Sequence, residues 1–172
     1  MGKERVSIFI DGSNLYHNLD GVKIDFQKLI KELLKGRKLI NCHYYIASLD
    51  ISTNNQKYWK HQKFLGELRK ILGFRVILCK LRKYTNRQGK SGFEIKGDDV
   101  HLAVDLVSGA YENLYDIAII VSGDEDFVPA IKKVRNLGKK VINAYFQGSS
   151  SASLKKTCDN FIHMDKITDK LR

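Results

Sequence analysis

The chain has no run of about 20 consecutive apolar residues, the length a helix needs to cross a bilayer. Its start, Met1-Gly2-Lys3-Glu4-Arg5, passes into a short strand-like run without the apolar stretch and small-residue cleavage site of an export signal. A soluble protein of the cytoplasm with no membrane partner is therefore expected. Cysteine is scarce: Cys42, Cys79 and Cys158 are three in 172 residues. They are widely spaced and form no C-x-x-C pair, which removes zinc-ribbon and dithiol redox chemistry and points to reduced, mostly buried thiols. His17, His43, His101 and His163 show no H-x-x-x-H or Cys/His spacing, so zinc is not expected. A G-x-G-x-x-G turn and a P-loop are both absent, which excludes the usual dinucleotide and nucleoside-triphosphate cradles. Acids are in short supply too: 19 Asp and Glu against 30 Lys and Arg leave a net charge of +11. Such an excess attracts polyanions, of which nucleic acid is the commonest in a cytosol. Solubility alone would explain it if the cations were scattered, so their positions decide.

What is present is ordinary globular material, 43% hydrophobic and 28% charged, of a length that suits one domain, residues 1–172, with a real core. Val6 to Ile10 is an apolar run of strand length that ends in the turn-rich Asp11-Gly12-Ser13-Asn14. Asp25 reads as the cap of a helix carrying Phe26, Leu29, Ile30, Leu33 and Leu34, stopped at Gly36. A strand over 41–48, an amphipathic helix over 56–72 and a strand over 74–81 follow. Residues 84–95 read as a polar, glycine-containing loop. A helix opens at Gly97 or Asp98, and a strand over 116–121 ends at Ser122-Gly123-Asp124-Glu125-Asp126. Then come a helix over about 127–136, a strand over 140–146, a short helix, and a last strand around Phe161 to His163. Continuous apolar strands alternating with helices predict an α/β fold: a three-layer α/β/α sandwich around a mainly parallel sheet. There are no internal repeats and no low-complexity linker.

The chemical signal is where the aspartates fall. Asp11 lies just past the carboxyl end of one core strand, and Asp124 and Asp126 just past that of another. Ligands of open α/β sheets sit outside those ends, so the acids converge if the two strands are neighbours. Asp98, Asp99 and Asp105 lie on the helix between them; Asp99 can join from its N-terminus, while the spacing keeps Asp99 and Asp105 off a common face. Each acid alone is open to a plainer reading: Asp98, Asp99 or Asp124 as a helix cap, Asp105 as a solvated surface residue. Jointly, packed carboxylates repel unless a cation compensates. A hard divalent ion, Mg²⁺ or Mn²⁺, prefers such oxygen ligands and activates water against a phosphodiester. Asn14 is placed to orient a water or phosphate, and Ser122 to hydrogen-bond a carboxylate.

Three ordered segments carry a resemblance. Phe9-Ile-Asp-Gly-Ser-Asn-Leu-Tyr16, Lys96-Gly-Asp-Asp-Val-His-Leu-Ala-Val-Asp105 and Val121-Ser-Gly-Asp-Glu-Asp-Phe-Val-Pro129 resemble the signature segments of NYN domains. These have the PIN-like nuclease fold, and the likeness is to the bacterial branch grouped with LabA-like proteins. The resemblance implies a Mg²⁺- or Mn²⁺-dependent ribonuclease with a central parallel sheet. By motif, Asp11, Asn14, Asp99, Asp124 and Asp126 would form its catalytic acidic site, with Asp98 and Asp105 as further candidate metal ligands. Many relatives have an apolar residue where this chain has Asp98.

The cations are not scattered. Lys80, Arg82, Lys83, Arg87, Lys90 and Lys96 crowd one segment, with Tyr84 and Phe93 among them and Glu94 the single acid. Cations track phosphates and aromatic rings stack on unpaired bases. The segment leads straight into Asp98, so Arg82, Lys83, Tyr84, Arg87, Lys90 and Lys96 are expected to contact RNA, most readily single-stranded RNA. Lys132, Lys133, Arg135, Lys139 and Lys140 form a second basic group. Trp59, Lys60 and His61 would add a stacking wall, though Trp59 flanking the core is the plainer reading. A haloacid-dehalogenase-like phosphatase fails because its nucleophile motif needs a second aspartate two residues after Asp11, where Ser13 stands. A non-catalytic RNA-binding or regulatory module on the same fold is the alternative. The sequence does not reveal an oligomeric state.

Overall fold

A computed structural model describes residues 2–49, 54–85, 89, 91–149 and 151–172. The chain runs β1 (Arg5–Asp11), α1 (Gly12–Leu19), α2 (Phe26–Leu34), β2 (Lys38–Ala47), α3 (Asn55–Arg69), β3 (Phe74–Thr85), β4 (Ser91–Lys96), α4 (Asp98–Tyr111), β5 (Ile117–Val121), α5 (Val128–Asn136), β6 (Lys140–Tyr145), α6 (Ala152–Thr157) and β7 (Asn160–His163). One sheet holds all seven strands in the order β4-β3-β2-β1-β5-β6-β7. Every pairing is parallel except β3 with β4. Among the described residues no helix is long and apolar enough to cross a membrane.

Central strands are apolar on both faces because both are covered. On β5, Ile117, Ile119 and Val121 face one core and Ala118 and Ile120 the other. The first core takes Leu15 of α1, Phe26, Leu29 and Leu33 of α2, and Leu65 and Leu68 of α3. The second takes Leu102 and Leu106 of α4, Ile131 and Val134 of α5, and Leu154 of α6. All three cysteines are free and buried.

Two expectations need correcting. Residues 12–19 are a helix, not just a turn cluster: the Asp11 carboxylate caps α1 by accepting from the Asn14 N–H at 2.9 Å. Gly12, Ser13 and Asn14 are poor helix formers, which hid it, and Leu15 anchors it in the core. In the segment 84–95, expected to be a loop, the described residues 84–85 and 91–95 are strand: β3 and β4 pair antiparallel, with Lys80 opposite Lys96, Arg82 opposite Glu94 and Thr85 opposite Ser91. Lys80, Arg82, Tyr84 and Thr85 are exposed there, so the apolar run that marks a strand buried on both faces is missing. Elsewhere the expected elements are present, and Asp25 caps α2 by accepting from Gln27 and Lys28.

The chain fills one side of β1 with β2, β3 and β4, then crosses to β5, β6 and β7 on the other. The order therefore reverses between β1 and β5, where the carboxyl edge of a parallel sheet opens a crevice.

Candidate metal and nucleic-acid site

Strand β1 pairs with β5 as far as Ile10 opposite Val121, so Asp11 and Ser122 leave the sheet side by side. The Ser122 hydroxyl donates to Asp11 Oδ2 at 2.8 Å and accepts from the Asp124 N–H at 3.1 Å. Asp11 is thus held through both oxygens, by Asn14 and by Ser122. It is 7% exposed. Burial pushes its carboxyl above the ordinary value, against the pull of those two donors, and the charges of Asp98 and Asp124 push the same way.

Asp124 comes from the other side of the crevice. Its Oδ1 accepts from the Asp126 N–H at 3.0 Å and caps the short helical turn that leads into α5. Asp126 is exposed and Asp124 half-buried. Asp98 and Asp99 open α4, directly after Gly97, which turns the chain with φ 89°. Asp99 reports the convergence most clearly. Its carboxyl is pushed up to about 6 by burial first, then by repulsion from Asp98, Asp11, Asp124 and Asp126. Acids from three separate segments of the chain therefore sense one another. Capping and ligation are compatible, since a carboxylate has about four lone-pair positions.

The surroundings are tightly built. A Cβ on Gly12 would lie 2.4 Å from the Tyr45 carbonyl oxygen, and one on Gly123 would lie 1.8 Å from that of Ser149. Only glycine lets these turns pass so close to neighbouring backbone. Asn14 Oδ1 accepts from the Gly123 N–H at 3.2 Å, tying the first motif to the third. Asn143 of β6, fully buried, donates through Nδ2 to the carbonyls of Ser122 and Ile120 at 2.8 and 3.2 Å. The sequence reading missed Asn143, although an amide inside Val141-Ile-Asn-Ala-Tyr145 was a signal: a buried polar group needs partners, and here they are the backbone under Asp124.

Asp105 is not drawn in. Its carboxylate accepts from the hydroxyl of Tyr45 at 2.8 Å, and His43 Nδ1 lies 3.8 Å away. It is absent from the charges acting on Asp11 and on Asp99. The remaining acids supply the oxygen chemistry a hard cation takes, but their side chains do not yet meet. Among the described residues no group of three or more His, Cys, Asp or Glu forms a ready coordination cluster.

The basic segment rises beside these acids. Strand β2 stops pairing at Ala47 opposite Cys79, so Lys80 to Thr85 and their antiparallel partners extend past the carboxyl edge. Six residues of strand reach about 20 Å. Lys80 and Lys96 are paired at the root of this arm, one residue before Gly97. Lys80, Arg82 and Tyr84 alternate on one face of β3 and are exposed. The Tyr84 ring also covers Gly92, whose notional Cβ would lie 2.9 Å from it. Lys83 and Lys96 are placed by their strands; Arg87 and Lys90 lie outside the described residues.

The second basic group is elsewhere. A depression lined by Lys132, Arg135, Asn136, Gly138, Lys139 and Asp159 lies at the opposite, amino edge. Two of its three cations are engaged: Arg135 pairs with Asp159 at 2.8 Å and Lys139 donates to Asn113. Trp59 stands 60% exposed at the start of α3, so it does not flank the core.

Comparison with known proteins agrees with this architecture. The NYN domain family model matches residues 5–165. The low amplitude and bright protein LabA of Synechococcus elongatus is 22% identical over 168 residues, covering 95% of this chain and 85% of that protein. A solved structure from Vibrio parahaemolyticus, of a protein of unknown function, superposes with a TM-score of 0.71 at 28% identity. It covers 95% of this chain and 94% of its own.

Proposed function

The chain belongs to the NYN domain family, in its LabA-like branch with a PIN-like fold, and we propose that it is a metal-dependent ribonuclease working in the cytoplasm as one domain. The observation that carries this reading is the convergence of acids delivered by β1, α4 and the turn after β5: burial first, and then repulsion from Asp98, Asp11, Asp124 and Asp126, hold the Asp99 carboxyl at about 6. A chain with 30 Lys and Arg and only 19 acids has gathered part of its small acid supply where no cation among the described residues pairs with it.

In the proposed assignment Asp11, Asp99, Asp124 and Asp126 hold Mg²⁺ or Mn²⁺, with Asp98 beside them. A bound ion would neutralise the acids, polarise a phosphodiester oxygen and acidify a water. The protein's own part is positional. Asn14 N–H and the Ser122 hydroxyl fix the Asp11 carboxylate. Asn143 holds the Ser122 carbonyl, and Asn14 Oδ1 holds the Gly123 N–H, so the two strand ends keep their spacing. The basic segment 80–96, with Arg82, Lys83, Tyr84, Arg87, Lys90 and Lys96, holds single-stranded RNA by its phosphates and bases and delivers it to the crevice.

One observation favours the second reading, an RNA-binding or regulatory module that does not cut: the acid side chains stand short of a closed cluster among the described residues. A single assay separates the two. Labelled RNA is incubated with the protein in Mn²⁺, in Mg²⁺ and in EDTA. Cleavage that needs the metal is the expected result; full-rate cleavage in EDTA overturns the metal mechanism, and binding without cleavage in any ion establishes the module.

A further inference from the structure

Helix α3 begins after β2 has left the carboxyl edge and runs back against β3, the parallel neighbour of β2. Leu65 and Leu68 are its buried anchors. Phe64 fixes one flank by meeting Phe26 of α2 at 5.8 Å and Tyr44 of β2 at 6.3 Å between ring centroids. Trp59 stands five residues earlier, and five residues of α-helix turn a side chain by about 500°. It therefore lies on the other flank, away from α2 and β2 and towards the outer, β3 side of the sheet. It is 60% exposed. Half-buried Tyr58 meets its ring edge to face at 5.2 Å, a contact that positions the indole and leaves at least one of its faces uncovered by Tyr58. Lys60 and Lys63 are exposed on the outer side of the helix, Lys63 one turn beyond Trp59.

The basic arm turns its cations to this same side of the sheet. Phe74 and Val76 of β3 face the core that α3 covers, and Leu78 pairs in register with Ile46, which packs there too. Side chains alternate along a strand, so Lys80, Arg82 and Tyr84 continue that face beyond the end of β2. Acids are few along it. Over residues 55–70 there are Lys57, Lys60, Lys63, Arg69 and Lys70 against Glu67, which lies near Lys63 but is held by Lys70 at 2.8 Å. On the arm Glu94 stands opposite Arg82 and Lys96 opposite Lys80. Asp50, in the connection before α3, lies outside the described residues. A lone exposed aromatic is ordinary. An open indole set among lysines, on the face that leads to a basic strand, has the chemistry that takes an unpaired base and its phosphates.

We propose that Trp59, with Lys60 and Lys63, is a base-stacking subsite for single-stranded RNA that crosses from the arm onto the start of α3; this rests on the RNA reading of the arm given above. The acidic crevice opens beside β1, two strands in from β3, about 10 Å along the sheet. The subsite therefore holds nucleotides away from the bond to be cut, and Trp59 is a binding residue whose loss raises KM and leaves kcat in place.

Trp59 is the single tryptophan of the chain, so its fluorescence reports on this subsite without any substitution. In EDTA, a single-stranded RNA oligonucleotide should quench the emission of the intact chain as it binds, whereas a blunt duplex of the same sequence, its bases already stacked, should quench it far less. Anisotropy of end-labelled RNA supplies the affinity separately. Trp59→Ala should weaken single-strand binding about 5- to 150-fold, the range for one stacked base, and Trp59→Phe, which keeps an aromatic face, should recover most of the loss. Lys60→Gln/Lys63→Gln should flatten the log–log salt slope by about 0.7 for each lysine. Single-stranded RNA bound with Trp59 emission unchanged, or Trp59→Ala binding as tightly as wild type, overturns this inference and leaves the RNA reading standing. Failure of the intact chain to bind single-stranded RNA in EDTA, Mg²⁺ or Mn²⁺ overturns both.

Discussion

The two edges of one sheet treat their acids in opposite ways. At the amino edge Asp116 meets Arg5 at 2.7 Å, Glu4 meets Arg37 at 3.1 Å and Lys140 at 3.5 Å, and Asp159 meets Arg135 at 2.8 Å. There the Arg5 guanidinium holds the Asp116 carboxyl down at about 2. At the carboxyl edge Asp11, Asp98, Asp99, Asp124 and Asp126 have no ion pair among the described residues, and Asp99 stands at about 6. Cations are plentiful in this chain, so the contrast reflects placement and not supply. Acids at the amino edge are given cations, whereas Asp11 and Asp124 are met by uncharged donors; in the proposed function that leaves the crevice acids for a metal ion.

The largest test of that contrast is chemical. Asp11→Asn, Asp99→Asn and Asp124→Asn should each reduce RNA cleavage by more than about a hundredfold, since losing even a group behind a metal ligand costs about 10–100-fold. Asp116→Asn at the amino edge should leave the rate within a factor of about two. Initial rates at saturating Mn²⁺ check both. Equal loss at the two edges would mean that the substitutions act through the fold. RNA affinity in EDTA should survive all four, because the arm is untouched.

Next comes the metal itself. An ion that binds only the folded state stabilises it by about 2.7 kcal/mol at a hundred times its Kd, which for a domain of this size is roughly 5–10 °C in Tm. Mn²⁺ should raise the wild-type Tm by that order over EDTA and leave an Asp11→Asn/Asp124→Asn variant within about 1 °C. An equal shift in both would place the ion elsewhere.

A smaller effect is the opposite pH response of the two edges. Asp99 stands above its ordinary 3.8, at about 6. Between those values the folded chain holds a proton the unfolded chain has released, so this contribution is present at low pH and lost as pH rises to about 6. Asp116 is lowered from 3.8 to about 2; its contribution is present above 3.8 and lost as pH falls towards 2. In metal-free protein Asp99→Asn should therefore raise Tm above pH 6 and match wild type near pH 4. Asp116→Asn should lower Tm at pH 7, converging on wild type near pH 2. Each difference should be about 1–4 °C, as befits partly exposed groups. Slopes of the same sign would erase the distinction between the edges.

The sequence made the buried parts legible and the solvated ones less so. Strand β5 and helix α2 announced themselves by periodicity and caps, and parallel order followed from alternation of strand and helix. The placement of Asp11 and Asp124 at neighbouring strand ends was legible because their position after apolar strands is itself a fold statement. Beyond Leu81 the hairpin arm was not legible as strand, since exposed Arg82, Tyr84 and Thr85 carry no buried apolar alternation. Asn143 was overlooked because its work is done on the backbone of a neighbouring strand. Asp105 shows the limit of a motif: sharing a segment with Asp99 does not place it with Asp99.

That limit gives the last and smallest expected effect. Asp105 lies six residues after Asp99, and six residues of α-helix turn a side chain by about 600°, two-thirds of a turn off the same face. Its carboxylate instead accepts the Tyr45 hydroxyl at 2.8 Å, and Tyr45 is the register neighbour of Asp11. Its contact therefore sets α4 against β2 without touching the crevice. Asparagine keeps an acceptor for that hydroxyl, and the Asp105 side chain is 39% exposed, so the lost charge is largely compensated by water. Asp105→Asn should stay within about threefold of wild-type cleavage and about 2 °C in Tm. Tyr45→Phe strands the carboxylate's partner position but leaves that carboxylate in reach of water, and should lie in the same range. Rates for Asp99→Asn and Asp105→Asn measured side by side check the boundary. A loss at Asp105 as large as that at Asp99 would enlarge the acidic site by one turn of α4.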